Sequence, residues 1–178
     1  ANNCDYEYVN LSELSAEAVY VSNDFDVTYE GWINCGDQVL LTADEQNPHG
    51  GTRSMRVENR LSTDDGVSSA KGFYLEGGKK YDYSVFVSHK GEESENFRLT
   101  LTYLCKDGET FETVELASET VKAGEWAEIN ASYKAPKGAS EFIVKLTTDS
   151  TEDFWFDDFT VTGKKTAQAD TVSAAGGG

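Results

Sequence analysis

The chain has 178 residues, with 15 Lys and Arg against 32 Asp and Glu, a net charge of −17, 12% aromatic side chains and only 2 Pro. Nucleic acid and anionic membrane surfaces repel such a polyanion, so neither is an expected partner. No apolar run approaches the roughly 20 residues that cross a bilayer, and 9 Tyr, 9 Phe and 3 Trp exceed what a disordered chain carries, so a soluble protein with one folded domain is expected.

In chain order, Leu11–Ala18 has a short helical pattern, and Asp24-Phe25-Asp26 opens the first well-marked strand region. Period-two alternation then dominates. In Lys80–Ser88, Tyr81, Tyr83, Val85 and Val87 share one face; in Phe97–Cys105, Phe97, Leu99, Leu101 and Tyr103 do the same. Trp126–Lys134, Glu141–Thr147 and Phe154–Val161 continue the series. Turn signals separate them at Glu76-Gly77-Gly78, Lys90-Gly91, Lys106-Asp107-Gly108, Ala123-Gly124 and Pro136-Lys137-Gly138. Long strands that bury one face, joined by Gly turns, predict an all-β fold, a two-sheet antiparallel β-sandwich whose outer face can curve into a groove. Residues 1–163 form the expected domain. From Lys164 the sequence is small and polar, so residues 164–178 read as a linker or tail. The start at Ala1, without Met, suits a processed or excised piece of a longer protein.

Cys4, Cys35 and Cys105 cannot all pair within one monomer, and with only His49 and His89 beside them they lack zinc-site spacing. One disulfide with a free thiol and three reduced thiols both remain open. Motifs for serine hydrolases, zinc proteases, phosphate loops and dinucleotide sites are absent. Counting cannot dismiss a glycosidase carboxylate pair, but ~160 ordered residues leave little room for a deep cleft beside a two-sheet core. His89 reads as a solvated turn histidine.

Asp157-Asp158 lies inside the last strand. Carboxylates placed mid-strand need compensation. Either a hard cation such as Ca²⁺ supplies it, or one carboxylate is solvated and the other hydrogen-bonded. Phe86 falls opposite Tyr83 and Val85, and Trp155 opposite Phe154 and Phe156, so both point toward the solvent side; Phe111 follows a turn and suits a groove lip. Sugar rings stack apolar C–H faces on such side chains, with Arg60 and Arg98 as hydrogen-bonding candidates. Core filling is the simpler reading for each ring.

Phe25-Asp26, Gly31-Trp32 and Gly51–Val57 resemble the opening of carbohydrate-binding modules of the family 4/9/22 type. Arg60–Gly66, Tyr81–Val87, Trp126–Ala139 and Phe154–Val161 resemble later segments of family 22, so that the likeness spans roughly residues 22–163. The resemblance implies a non-catalytic jelly-roll module appended to secreted plant cell-wall hydrolases, commonly xylanases. Such a module binds xylan or mixed-linkage β-glucan in a groove on one sheet and holds a structural calcium. It makes Asp26 and Asp158 calcium ligands, with a carbonyl from Gly51 or Thr52, and it matches Arg60. It also shows departures: the family's groove tryptophan falls at Asp64, its arginine near Cys35, its loop tyrosine near Phe111 or Glu112, and its Tyr-x-Glu near Val144–Leu146. The expected ligand residues are Arg60, Phe86, Arg98, Tyr103 and Phe111, although the alternation of Tyr103 places it toward the core. The expectation is therefore a monomeric, secreted module that holds a hydrolase on β-linked polysaccharide. The alternatives are a structural or protein-interaction sandwich and a small glycan-active enzyme.

Overall fold

A computed structural model describes residues 17–69, 73–91 and 93–164. Its strands are β1 (Glu17–Asn23), β2 (Trp32–Cys35), β3 (Leu40–Asp44), β4 (Ser54–Glu58), β5 (Gly66–Ser69), β6 (Lys80–His89), β7 (Ser94–Leu104), β8 (Phe111–Lys122), β9 (Ala127–Lys134), β10 (Ser140–Thr148) and β11 (Phe154–Lys164). Among the described residues no helix is long and apolar enough to cross a membrane. The first sheet runs β3-β4-β11-β6-β9 with β1 also on β11; the second runs β2-β5-β10-β7-β8. All pairings are antiparallel. The result is the expected two-sheet jelly-roll sandwich.

Alternation sends one face of each long strand inward. Tyr83, Val85 and Val87 of β6, Phe97, Leu99 and Leu101 of β7, Phe142, Val144 and Leu146 of β10, and Phe154, Phe156, Phe159 and Val161 of β11 are all buried between the sheets. Phe25 and Trp32 close one end by edge and tilted contacts with Phe156 and Phe159, with ring centroids 5.1 Å apart, and meet each other edge-on at 6.2 Å. Phe25 of the Phe-Asp pair and Trp32 of the Gly-Trp pair are therefore core anchors.

Two expectations need correction. Most of the helical pattern at Leu11–Ala18 falls outside the described residues, but Glu17 and Ala18 already belong to β1. His89 is buried: its Nδ1 accepts from Gly91 N at 3.3 Å, so Nε2 carries the proton and donates to Val121 O at 2.7 Å. Cys35 and Cys105 are unpaired in the structure, and Cys4 lies outside the described residues.

One irregularity positions the acidic residues. Along β11, Phe154–Phe156 pair with β4 whereas Phe159–Lys164 pair with β1. Between these stretches the register with β6 shifts from Asp157 to Thr160, and Asp158 takes a positive φ of 50°. The extra residue is a β-bulge, which lets both Phe156 and Phe159 face inward.

Candidate functional site

The bulge sets Asp157 and Asp158 against the loop that leads into β4. Asp157 is fully buried, and its carboxylate accepts backbone N–H bonds from His49 (3.1 Å), Gly50 (3.2 Å) and Asp158 (2.8 Å). Burial pushes its pKa up to about 6; the Asp158 charge adds to the rise and the backbone donors oppose it. Asp158 is partly exposed, and its Oδ2 lies 2.6 Å from His49 Nδ1. One carboxylate is thus saturated by amides while its neighbour is accessible.

Asp26 approaches the same loop. Its Oδ1 accepts from Thr52 N at 2.9 Å and Arg53 N at 3.4 Å. A Cβ on Gly51 would stand 2.1 Å from Asp26 Oδ2, and one on Gly50 would stand 2.9 Å from Asp158 Oδ2. Gly51 also has a φ of +66°, so only glycine suits that position. The structure therefore brings both sequence-predicted metal residues to two consecutive glycines, and adds His49. His49 Nδ1 and oxygens of Asp157 and Asp158 lie within 4.8 Å of one another. Carboxylate oxygens beside flexible glycine carbonyls are the donor set that Ca²⁺ accepts.

The outer face of the first sheet forms a trough over β9, β6 and β11, enclosing about 480 Å³. Phe86 opposes Glu128, Ser84 opposes Asn130, and Asp82 opposes Ser132 across β6 and β9; Thr160 and Thr162 face them from β11. Phe86 stacks on the His49 ring at 3.8 Å and 17°, and Trp126 tilts against His49 at 5.4 Å. Ser84 donates to Glu128 at 2.6 Å, and Ser132 donates to Asp82. Trp155 shares the outward direction but is only 4% exposed. It lies beneath Arg56 at 5.1 Å and Lys90 at 4.8 Å, and donates to Asp44 at 2.6 Å, so its ring is no platform for a sugar.

The outer face of the second sheet carries Arg98 on β7, beside the edge strand β8. The guanidinium donates from Nε and Nη2 to Asp149 at 2.6 and 3.1 Å, and from Nη1 to Glu115 at 2.6 Å. These carboxylates hold the Arg98 pKa above its ordinary value, and Arg98 holds that of Asp149 below the usual carboxylate range. Phe111 sits at the β7–β8 turn end, 54% exposed. Cys35 is placed on β2, with Sγ 3.2 Å from Ser68 Oγ, and Asp64 in the turn before β5. Within Val144–Leu146 only Lys145 points outward, because Val144 and Leu146 are buried. Of the positions that the family resemblance assigns to sugar contact, Cys35 and Phe111 therefore lie on this sheet and Asp64 in the turn before β5, whereas Val144 and Leu146 face the core.

The five expected ligand residues do not gather. Phe86 is on one outer face; Arg98 and Phe111 are on the other. Arg60 and Tyr103, 4% and 2% exposed, lie between the sheets. Arg60 donates to Asp65 O, Thr148 Oγ1, Glu152 O, Thr63 O and Thr148 O at 2.6–3.4 Å and sits over the Phe154 ring at 5.2 Å. The Tyr103 hydroxyl meets those of Tyr133 at 3.4 Å and the Glu112 carboxylate at 3.5 Å. Both side chains are committed to the fold, which removes them from a ligand's reach. His49 and Trp126 were missed, because nothing local in the sequence signals a contact between His49 and β6 or β11.

The family model described as a carbohydrate binding domain, CBM_4_9, matches residues 17–152. Endo-1,4-beta-xylanase Y of Acetivibrio thermocellus is 49% identical over 166 residues, covering 93% of this chain and 15% of that protein. A xylanase/beta-glucanase of Ruminococcus flavefaciens is 27% identical over 142 residues, covering 78% of this chain and 17% of that protein. The chain thus spans about a sixth of the length of these relatives. The N-terminal CBM22-1–GH10 modules of Clostridium thermocellum endo-1,4-beta-D-xylanase 10B, solved with xylohexaose, superpose with a TM-score of 0.80 at 48% identity, over 84% of this chain and 29% of that one. The C-terminal family 22 module of the same enzyme shares the fold, with a TM-score of 0.71 at 23% identity over 84% of this chain and 96% of that one. Match, identity and fold agree: the chain belongs to the carbohydrate-binding domain family, in its xylanase-associated family 22 branch, and is a non-catalytic binding module.

Proposed function

We propose that this module binds β-linked polysaccharide, xylan or mixed-linkage β-glucan, across the outer face of the second sheet, and so holds a secreted hydrolase on its substrate. Tethering raises the local substrate concentration without new chemistry. The observation that carries this reading is that the exposed Phe111 ring shares that outer face with an Arg98 fixed by Asp149 and Glu115. A preordered guanidinium loses little entropy when a sugar hydroxyl joins its network. Phe111 supplies the exposed ring. In calorimetric titration with xylohexaose and with soluble mixed-linkage β-glucan, Phe111→Ala and Arg98→Ala should each weaken binding by about five- to tenfold, equivalent to about 1 kcal/mol. Unchanged affinity in both would refute the placement.

A spacer without sugar affinity is the rival, favoured by Cys35 and Asp64 standing where the family resemblance expects an arginine and a tryptophan, and by Val144–Leu146 carrying no carboxylate where it expects a Tyr-x-Glu. Failure to bind any of xylan, β-glucan or mannan would select it. The domain acts as a monomer, and its catalytic partner lies elsewhere in a longer chain.

The residues around the β11 bulge fit a structural Ca²⁺, with Asp26 and Asp158 as carboxylate ligands and carbonyls of the Gly50–Gly51 segment completing the shell. Bound there, the ion would tie the start of β4 to the bulge and neutralise two carboxylates. Thr52 donates its N–H to Asp26, so its backbone orients that ligand.

A further inference from the structure

The trough on the first sheet lies on the opposite face of the sandwich from Arg98 and Phe111, and the proposed function does not use it. One wall is the Phe86 ring, whose other side rests on His49 at 3.8 Å. Backing by a second ring fixes the Phe86 rotamer before a ligand arrives, which lowers the entropy lost on binding. Along the strands, outward residues repeat about every 7 Å. A chain running from Phe86 thus passes Glu128, then Asn130 and Thr160, then Asp82. Glu128 and Asp82 are already oriented by Ser84 and Ser132 and keep lone pairs for further donors. An apolar ring beside successive hydroxyl, amide and carboxylate groups matches the C–H face and hydroxyl edge of a sugar. Asp82 and Glu128 border the trough and no Lys or Arg among the described residues does, so an anionic chain is disfavoured. A protein partner is disfavoured too, because a single ring does not provide the apolar centre that such interfaces have.

We infer that this trough is a second carbohydrate-binding face that takes a neutral β-linked glycan, independent of the second-sheet face. The inference shares with the proposed function only the premise that the module binds sugar. It is tested by following backbone amide shifts while xylohexaose, and separately a mixed-linkage β-glucan hexasaccharide, is titrated into the full chain. Expected are shifts at residues 82–86, 128–132 and 160–162, with affinity at those amides about tenfold lower in Phe86→Ala and in Glu128→Gln and shifts elsewhere retained. Retained signals elsewhere show that each variant is folded. Trough amides that stay silent while second-sheet amides shift would overturn this inference and leave the proposed function intact. Trough shifts with a silent second sheet would support it and move sugar binding to the trough alone, and silence on both faces overturns both. Trough shifts that follow protein concentration without sugar would identify a second copy as the occupant and overturn it.

Discussion

Replacing Arg60 by Lys separates a structural arginine from a ligand-binding one. The native guanidinium reaches five acceptors, drawn from the 63–65 turn and from Thr148 and Glu152, and is 4% exposed. An ammonium has three donors on a flexible stem and no planar fork, so at least two acceptors lose their partner. Each buried unpaired acceptor costs about 1–3 kcal/mol, and entering water relieves part of this, which gives a net loss of about 2–4 kcal/mol. For a domain of this size that corresponds to a fall in Tm of roughly 5–12 °C. Scanning calorimetry measures the fall, and titration with mixed-linkage β-glucan below the transition should show affinity within about twofold of the parent. A variant with unchanged Tm and a tenfold loss of affinity would refute the structural role and place Arg60 at the ligand.

The bulge makes two further predictions. Chelation by EDTA should lower the Tm by mass action, and Asp26→Ala should abolish the response to added Ca²⁺; a midpoint indifferent to EDTA would refute the ion site. In the metal-free protein, the Asp157 carboxyl binds its proton more tightly when folded, near pH 6, than when unfolded, near 3.8. Its contribution to stability is therefore fully present below about pH 4 and is lost as pH rises through 6, by at most about 3 kcal/mol. Asp149, held low by Arg98, works in the opposite direction, with stability present above its ordinary pKa and lost on acidification. Thermal melts in EDTA should therefore rise from pH 7.5 to about 5, and Asp157→Asn should flatten that rise; an unchanged slope would contradict the burial argument.

Much of this architecture was legible because burial imposes period two on a half-wet strand. The strands β6, β7, β10 and β11 announce themselves through Tyr83, Leu99, Val144 and Phe156 and their alternate neighbours. The Phe156-Asp157-Asp158-Phe159 run breaks that parity, and the break is the bulge itself. β8 stayed hidden because it is an edge strand of 12 residues with Glu112, Glu115 and Glu119 exposed, and no buried stripe marks it. The site was harder to read. Outward parity correctly exposes Phe86, yet the same parity misleads for Trp155, which Arg56 of β4 and Lys90 just after β6 cover. Arg60 looks like a free donor until the carbonyls of distant turns converge on it. The contact of His49 with Asp158 arises because the bulge stands where β11 passes from pairing with β4 to pairing with β1.

Affinity electrophoresis of the chain through gels containing xylan, mixed-linkage β-glucan or mannan tests the central claim most directly, that this non-catalytic sandwich recognises a sugar polymer on its outer surface. The structure predicts retarded migration in xylan or β-glucan gels, with no reducing sugar released. Unretarded migration in all three gels, or hydrolysis by the isolated chain, would contradict it.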